Sequence, residues 1–86
     1  MSPARTRRDT VEVVFGRVLR SLREERGISQ ERLGHDSGAG RTYVSELERG
    51  LKNPTLNTVF RLASPLGVSG AEIVKRVEAE IRGAAR

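Results

Sequence analysis

Ser29-Gln30-Glu31-Arg32-Leu33-Gly34-His35-Asp36-Ser37-Gly38-Ala39-Gly40-Arg41-Thr42-Tyr43-Val44-Ser45-Glu46-Leu47-Glu48-Arg49-Gly50 is the stretch that decides how this chain folds. It reads as two short helices around a tight glycine turn. Ser29 suits the N-cap of the first, because its hydroxyl can accept from a backbone N–H two or three residues on. Leu33 is the inward-facing anchor of that helix. Gly38 stands where a left-handed residue closes the helix without steric penalty. After Ala39-Gly40 a second helix carries Val44 and Leu47 at i, i+3 spacing, and Gly50 closes it in the same way. Helices of about two turns are not stable alone in water, so the pair must dock on other helices.

Those other helices flank it. Upstream, Asp9 followed by Glu12 looks like an acidic capping box and starts the first helix of the chain. Val11, Phe15, Val18, Leu19 and Leu22 form its apolar stripe, with Arg17, Arg20, Glu24 and Glu25 mostly outside it. Gly16 costs that helix about 1 kcal/mol relative to alanine and is read as permitting close packing; Gly27 ends it. Residues 1–8, with Pro3, Arg5, Arg7 and Arg8 and nothing apolar, read as a flexible basic arm. Such an arm either follows a nucleic-acid backbone or groove, or is a tail without consequence.

Downstream, Leu51-Lys52-Asn53-Pro54 is a loop, since Pro54 cannot supply the bond a continuing helix needs. Thr55 caps the fourth helix, whose expected apolar face is Leu56, Val59, Phe60, Leu62 and Ala63. Pro65 lies in its last turn and is expected to kink or fray it, before Gly67 stops it. Ser69-Gly70-Ala71-Glu72 is a capping box for a fifth helix, spanning about residues 70–82 with Ala71, Ile73, Val74, Val77 and Ile81 apolar. A loose tail, 83–86, follows. There is no strand pattern and no internal repeat. The expectation is an all-α domain of five helices over residues 9–82.

Composition bounds the function. The chain of 86 residues allows one small core. It has no cysteine, which excludes disulfides and thiolate metal sites and suits a reducing cytoplasm. Its single histidine cannot build a metal site by itself, and no cofactor is expected. Nothing approaches the roughly 18 consecutive apolar residues of a membrane span, and no apolar run follows the basic start as in a signal peptide. Lysine and arginine number 16 against 11 acidic residues, a net charge of +5, and nearly all the cations are arginine. Arginine's planar fork suits phosphate and base edges, though a charged surface also simply solubilises.

Two helices of about two turns joined by a short glycine-containing turn fit the helix-turn-helix unit. The order of residues closely resembles the Cro/cI-type (XRE-like) helix-turn-helix family of bacterial and phage regulators. The resemblance is carried by Ser29-Gln30, Leu33-Gly34, Gly38, Tyr43-Val44-Ser45, Leu47-Glu48-Arg49-Gly50, Asn53-Pro54-Thr55-Leu56 and Leu62-Ala63, and runs from about Phe15 to Val74. Within the family the chain is similar to restriction-modification controller proteins and small phage repressors. Two positions depart from the pattern. Gly40 stands where the family often has a Ser or Thr cap, and Pro65 where it commonly has Ala. The resemblance implies a compact, lambda-repressor-like domain with helices two and three as the motif.

In a helix-turn-helix protein the second helix of the motif enters the major groove, N-terminal residues first. That geometry puts Arg41, Thr42 and Glu46 at base edges. Arg41 suits a bidentate contact to guanine, Thr42 a hydroxyl or thymine-methyl contact, and Glu46 acceptance from cytosine N4. Competing readings are a phosphate contact alone for Arg41 and an intrahelical pair with Arg49 for Glu46. Gln30 opens its helix where a phosphate is favoured, and the resemblance implies that it also braces the recognition helix. Tyr43, Ser45, Lys52, Asn53 and Thr55 complete the expected backbone clamp; Tyr43 has the alternative of a core position. The resemblance further implies a structural ion pair between Arg23 and Glu48. His35-Asp36 lacks a nucleophile in reach and reads as surface, and no cleft-forming constellation suggests an enzyme.

These residues together point to a sequence-specific regulator binding double-stranded DNA as a homodimer on a pseudo-palindromic operator, with Val74, Val77 and Ile81 at the dimer contact while Ile73, Val74 and Val77 also cover the first helix. A chain this short leaves no room for a small-molecule sensor, so control is expected through its own concentration. Glu24, Glu25 and Glu31 are either a contact for RNA polymerase or solvated surface. The alternatives are an antitoxin-like protein-interaction module on the same fold, and a protein that coats nucleic acid without sequence preference.

Overall fold

A run of helix caps written into the sequence sets the architecture of the computed structural model, which describes residues 9–85. Among those residues there are five helices: α1 Val11–Arg26, α2 Gln30–Ser37, α3 Arg41–Glu48, α4 Leu56–Leu66 and α5 Gly70–Ala85. The proposed basic arm of residues 1–8 lies outside the described residues. Ser29 Oγ accepts from the Arg32 N–H at 2.9 Å, Thr55 Oγ1 from the Thr58 N–H at 3.1 Å, and Ser69 Oγ from the Glu72 N–H at 3.0 Å. Gly27, Gly38 and Gly67 end α1, α2 and α4 with φ between 74° and 76°. Each of these caps was expected from its residue type.

The start of α1 is a correction. Thr10, not Asp9, is the N-cap, its Oγ1 accepting from the Val13 N–H at 3.2 Å. Asp9 instead takes a hydrogen bond from Arg17 at 3.3 Å. The buried stripe of α1 is Val14, Phe15, Val18, Leu19 and Leu22, while Val11, in the first turn, is exposed. The end of α5 also differs. It runs to Ala85 rather than stopping near residue 82, because Gly83-Ala84-Ala85 contains neither proline nor a left-handed glycine to break it.

Every helix contributes at least one side chain wholly withdrawn from solvent: Leu19, Leu33, Val44 and Leu47, Leu62, and Ile73 in chain order. Around them pack Val14, Phe15, Val18, Leu22, Val59, Ala63, Leu66 and Val77. On α4 the inward set is Val59, Leu62, Ala63 and Leu66, while Leu56 and Phe60 face out. Pro65 sits in the last turn of α4, and the helix continues through it to Leu66. Helices α1 and α5 run antiparallel, Arg76 pairing with Glu25 at 3.3 Å and Arg17 with Glu80 at 3.6 Å. These pairs are exposed and contribute little.

Candidate nucleic-acid interface

The closeness of α2 to α3 follows from a missing side chain. A Cβ on Gly34 would lie 2.5 Å from the Arg41 nitrogen and from the Gly40 carbonyl carbon, so only glycine allows α3 to start against the flank of α2. The turn between them is closed by the Gly40 N–H donating to Gly34 O at 3.0 Å. Buried Ser37 adds its hydroxyl, which accepts from the Ala39 N–H at 3.2 Å. Gly40 precedes α3 at φ 92°, a backbone conformation that favours glycine, and offers no side-chain cap.

Helix α3 has two faces of opposite character. Val44 and Leu47 are completely buried, whereas Arg41 and Thr42 are exposed and Ser45 and Glu46 half-buried. Arg41, Thr42 and Glu46, the three expected base readers, therefore share the outward side. Among the described residues neither Arg41 nor Glu46 belongs to an ion pair within 4.0 Å, so the pairing of Glu46 with Arg49 does not occur here. Tyr43 is half-buried with its side chain packed on the core. Lys52 and Asn53 are exposed in the loop that follows. Thr55 is exposed too, but its hydroxyl is engaged in the α4 cap and with Thr58 Oγ1 at 3.1 Å.

Behind α3 lies a charged network. Arg23 Nε donates to Glu48 Oε2 at 2.6 Å and Arg23 Nη2 to Glu48 Oε1 at 3.0 Å, a bidentate pair with side-chain exposures of 12% and 3%. Arg23 Nη1 donates to the Ile28 carbonyl at 2.9 Å and Gln30 Nε2 to Glu48 Oε1 at 3.0 Å. The Glu48 hydrogen bond holds the Arg23 guanidinium above its ordinary pKa. Three elements thus meet on one carboxylate: the end of α1, the start of α2 and the last turn of α3. Gln30 keeps a second amide N–H beyond the one given to Glu48.

Two participants escape sequence reasoning. Ser37 is inside the turn rather than on its surface. Arg61, on α4, donates from Nε to the Ser37 carbonyl at 3.2 Å. Only the small polar residue before a turn glycine hinted at Ser37; Arg61 looked like any other surface arginine. The dimer residues separate as well. Val77 is a core residue at 8% exposure, a correction to its expected place at a subunit contact, while Val74 and Ile81 remain exposed. His35 and Asp36 lie exposed on α2, where Arg32's hydrogen bond holds the Asp36 carboxyl below the usual carboxylate range. Among the described residues no helix is long and apolar enough to cross a membrane.

A helical pair with a buried inner face, an exposed polar outer face and a glycine-closed turn defines the helix-turn-helix class. The family profile described as helix-turn-helix matches residues 19–73, from the middle of α1 to the start of α5. The chain belongs to this family. It is 49% identical over 61 residues to an uncharacterised HTH-type transcriptional regulator, y4dJ, of Sinorhizobium fredii, covering 71% of this chain and 79% of that one. It is 30% identical over 67 residues to the control protein C.BamHI of Bacillus amyloliquefaciens, covering 77% and 83%. Among solved structures it resembles the restriction-modification controller protein C.AhdI of Aeromonas hydrophila, with 42% identity, a TM-score of 0.70 and coverage of 72% and 90%. The clp gene regulator ClgR of Corynebacterium glutamicum superposes with a TM-score of 0.82 at 28% identity, covering 88% and 81%.

Proposed function

We propose that this chain is a transcription regulator that reads double-stranded DNA with the outer face of α3, acting as a homodimer on a pseudo-palindromic operator. The observation that carries the reading is the split of α3 into a buried flank, Val44 and Leu47, and an outward flank with Arg41, Thr42 and Glu46. Arg41 offers two parallel donors to guanine, Thr42 a hydroxyl and methyl, and Glu46 an acceptor for cytosine N4. Gln30, Tyr43, Ser45, Lys52 and Asn53 flank this surface and hold phosphates, which sets position without reading sequence. Names of relatives as HTH-type regulators, control proteins and a phage transcriptional repressor support the reading.

Random-site selection with the purified chain, followed by footprinting, tests it. Two half-sites about 34–36 Å apart are expected for a dimer binding one face of the duplex. Arg41→Ala should lose about 1–3 kcal/mol of discrimination at one base pair per half-site. Lys52→Ala should instead weaken all duplexes alike and flatten the dependence of log affinity on log salt by about 0.9 per phosphate contact. Affinity that falls with salt and ignores sequence would replace the regulator reading with coating.

The dimer seam is best supported on the outer side of α4 and α5. Leu56, Phe60, Val74 and Ile81 are large exposed apolar side chains. Leu56 and Phe60 are one turn apart on α4, and Val74 and Ile81 two turns apart on α5. The two helices join there because Gly70 leaves room for the Phe60 ring, which a Cβ at that position would overlap. A small domain exposing such a strip is stabilised by a second copy, and a two-fold axis there would pair two α3 helices. Phe60→Asp should convert the dimer to monomer by sedimentation and weaken operator binding, with the helical circular dichroism kept. A wild-type chain that stays monomeric at high micromolar concentration would leave the strip to a different protein, as in the antitoxin-like alternative.

A further inference from the structure

We infer that Arg61 is a positioning residue for α3: from the middle of α4 it locks the turn that launches the recognition helix, and so sets how Arg41 and Thr42 register on bases. This rests on the DNA-reading role proposed above. Arg61 Nε donates to the Ser37 carbonyl at 3.2 Å, and its Nη2 lies so close over Gly38 that a Cβ there would be 2.7 Å away. The carbonyls ending α2 carry the negative end of the helix dipole, where a cation is favoured and its hydrogen bond charge-assisted.

The other hydrogen bonds of this turn are local: Gly40 N–H to Gly34 O, Gly38 N–H to His35 O, and Ala39 N–H to Ser37 Oγ. Among the described residues, Arg61 is the side chain that hydrogen-bonds this turn from another part of the fold. What it restrains is soft. Gly38 and Gly40 sit at φ 76° and 92°, and glycine has the widest backbone freedom of any residue. Helix α3 has eight residues and an uncapped start. Its centre and far end are anchored by Val44, Leu47 and the Glu48 network, so the residual freedom falls on its first turn. That turn carries Arg41 and Thr42.

The test uses the full chain, its selected operator and an unrelated duplex of equal length, across a range of salt. Arg61→Gln is expected to lower the preference for operator over unrelated duplex about tenfold, the scale of a single unmatched base pair. The salt slope should stay as in the wild type, and Tm should fall by only a few degrees. Arg61→Lys, which keeps a cationic donor, should recover most of the preference. In the free variant Arg61→Gln, amide exchange at Gly38–Gly40 should quicken while the α1 amides stay protected, a readout that needs no DNA. Equal losses on both duplexes with a flatter salt slope would make Arg61 a phosphate contact and overturn the inference. An unchanged preference, with or without a lower Tm, would overturn it too. A wild-type chain with no preferred duplex would sink the DNA-reading role instead, and unchanged amide exchange would then refute the hinge separately.

Discussion

Replacing Glu48 with alanine is expected to destabilise the domain by about 3 kcal/mol, because it strands a desolvated guanidinium. Arg23 and Glu48 are 12% and 3% exposed, and the glutamate accepts from both Arg23 and Gln30. Removing Glu48 leaves the guanidinium largely withdrawn from water, without its counter-charge and with the Ile28 carbonyl as its remaining acceptor, which is worse than removing both. For a domain this small, about 3 kcal/mol corresponds to a Tm lower by roughly 15 °C. Glu46→Ala, two residues away on the outer side, should change stability by no more than about 0.5 kcal/mol. The two variants should diverge the other way in DNA reading, with Glu46→Ala altering base preference at near-wild-type stability. The double variant Arg23→Met, Glu48→Leu should recover much of the loss, since an apolar replacement leaves no charge to desolvate. Thermal and urea unfolding of the variants measure this; equal Tm losses for the Glu46 and Glu48 variants would contradict the assignment.

Gly16→Ala is expected to destabilise by about 2 kcal/mol, against the direction that helix propensity predicts. Inside a helix, alanine is favoured over glycine by about 1 kcal/mol. At Gly16, however, a Cβ would stand 2.5 Å from the Leu47 carbonyl oxygen and 2.7 Å from that of Glu48. Both obstacles are backbone, and no rotamer change relieves them. Helix α1 must then move off the end of α3, loosening Leu47 in the core and the Glu48 network together, and overpacking of this kind costs about 1–3 kcal/mol or more. Gly83→Ala is the control: nothing lies within 4 Å of its Cβ position, so propensity alone acts and stability should hold or rise slightly. Urea midpoints moving in opposite directions for the two variants are the expected result. A stabilised Gly16→Ala would mean that α1 and α3 do not approach so closely.

Gly16 shows how far each level of description reaches: in the sequence it reads as a cost to its helix that permits close packing, and the structure identifies what packs there, the carbonyls at the end of α3. Arg23 and Glu48, 25 residues apart, were paired by family resemblance before their geometry was known, whereas spacing along the chain says nothing about such a contact. The contact between Arg61 and Ser37, 24 residues apart and without a motif to join them, has no signal in the sequence.

By itself the amino-acid sequence determined five helices, the polar caps at Ser29, Thr55 and Ser69, the glycine stops, and which flank of α3 is polar. Each of these is local, decided by a hydroxyl three residues from an N–H, a positive φ, or a repeat of 3.6 residues. Tertiary structure decided the rest: Val14 rather than Val11 in the core, Leu66 rather than Leu56 or Phe60, Val77 turned inward, and the network on Glu48. An apolar stripe on a helix is wider than the line along which a neighbouring helix touches it, so periodicity admits several candidates. Which of them is buried depends on where the other four helices come to rest.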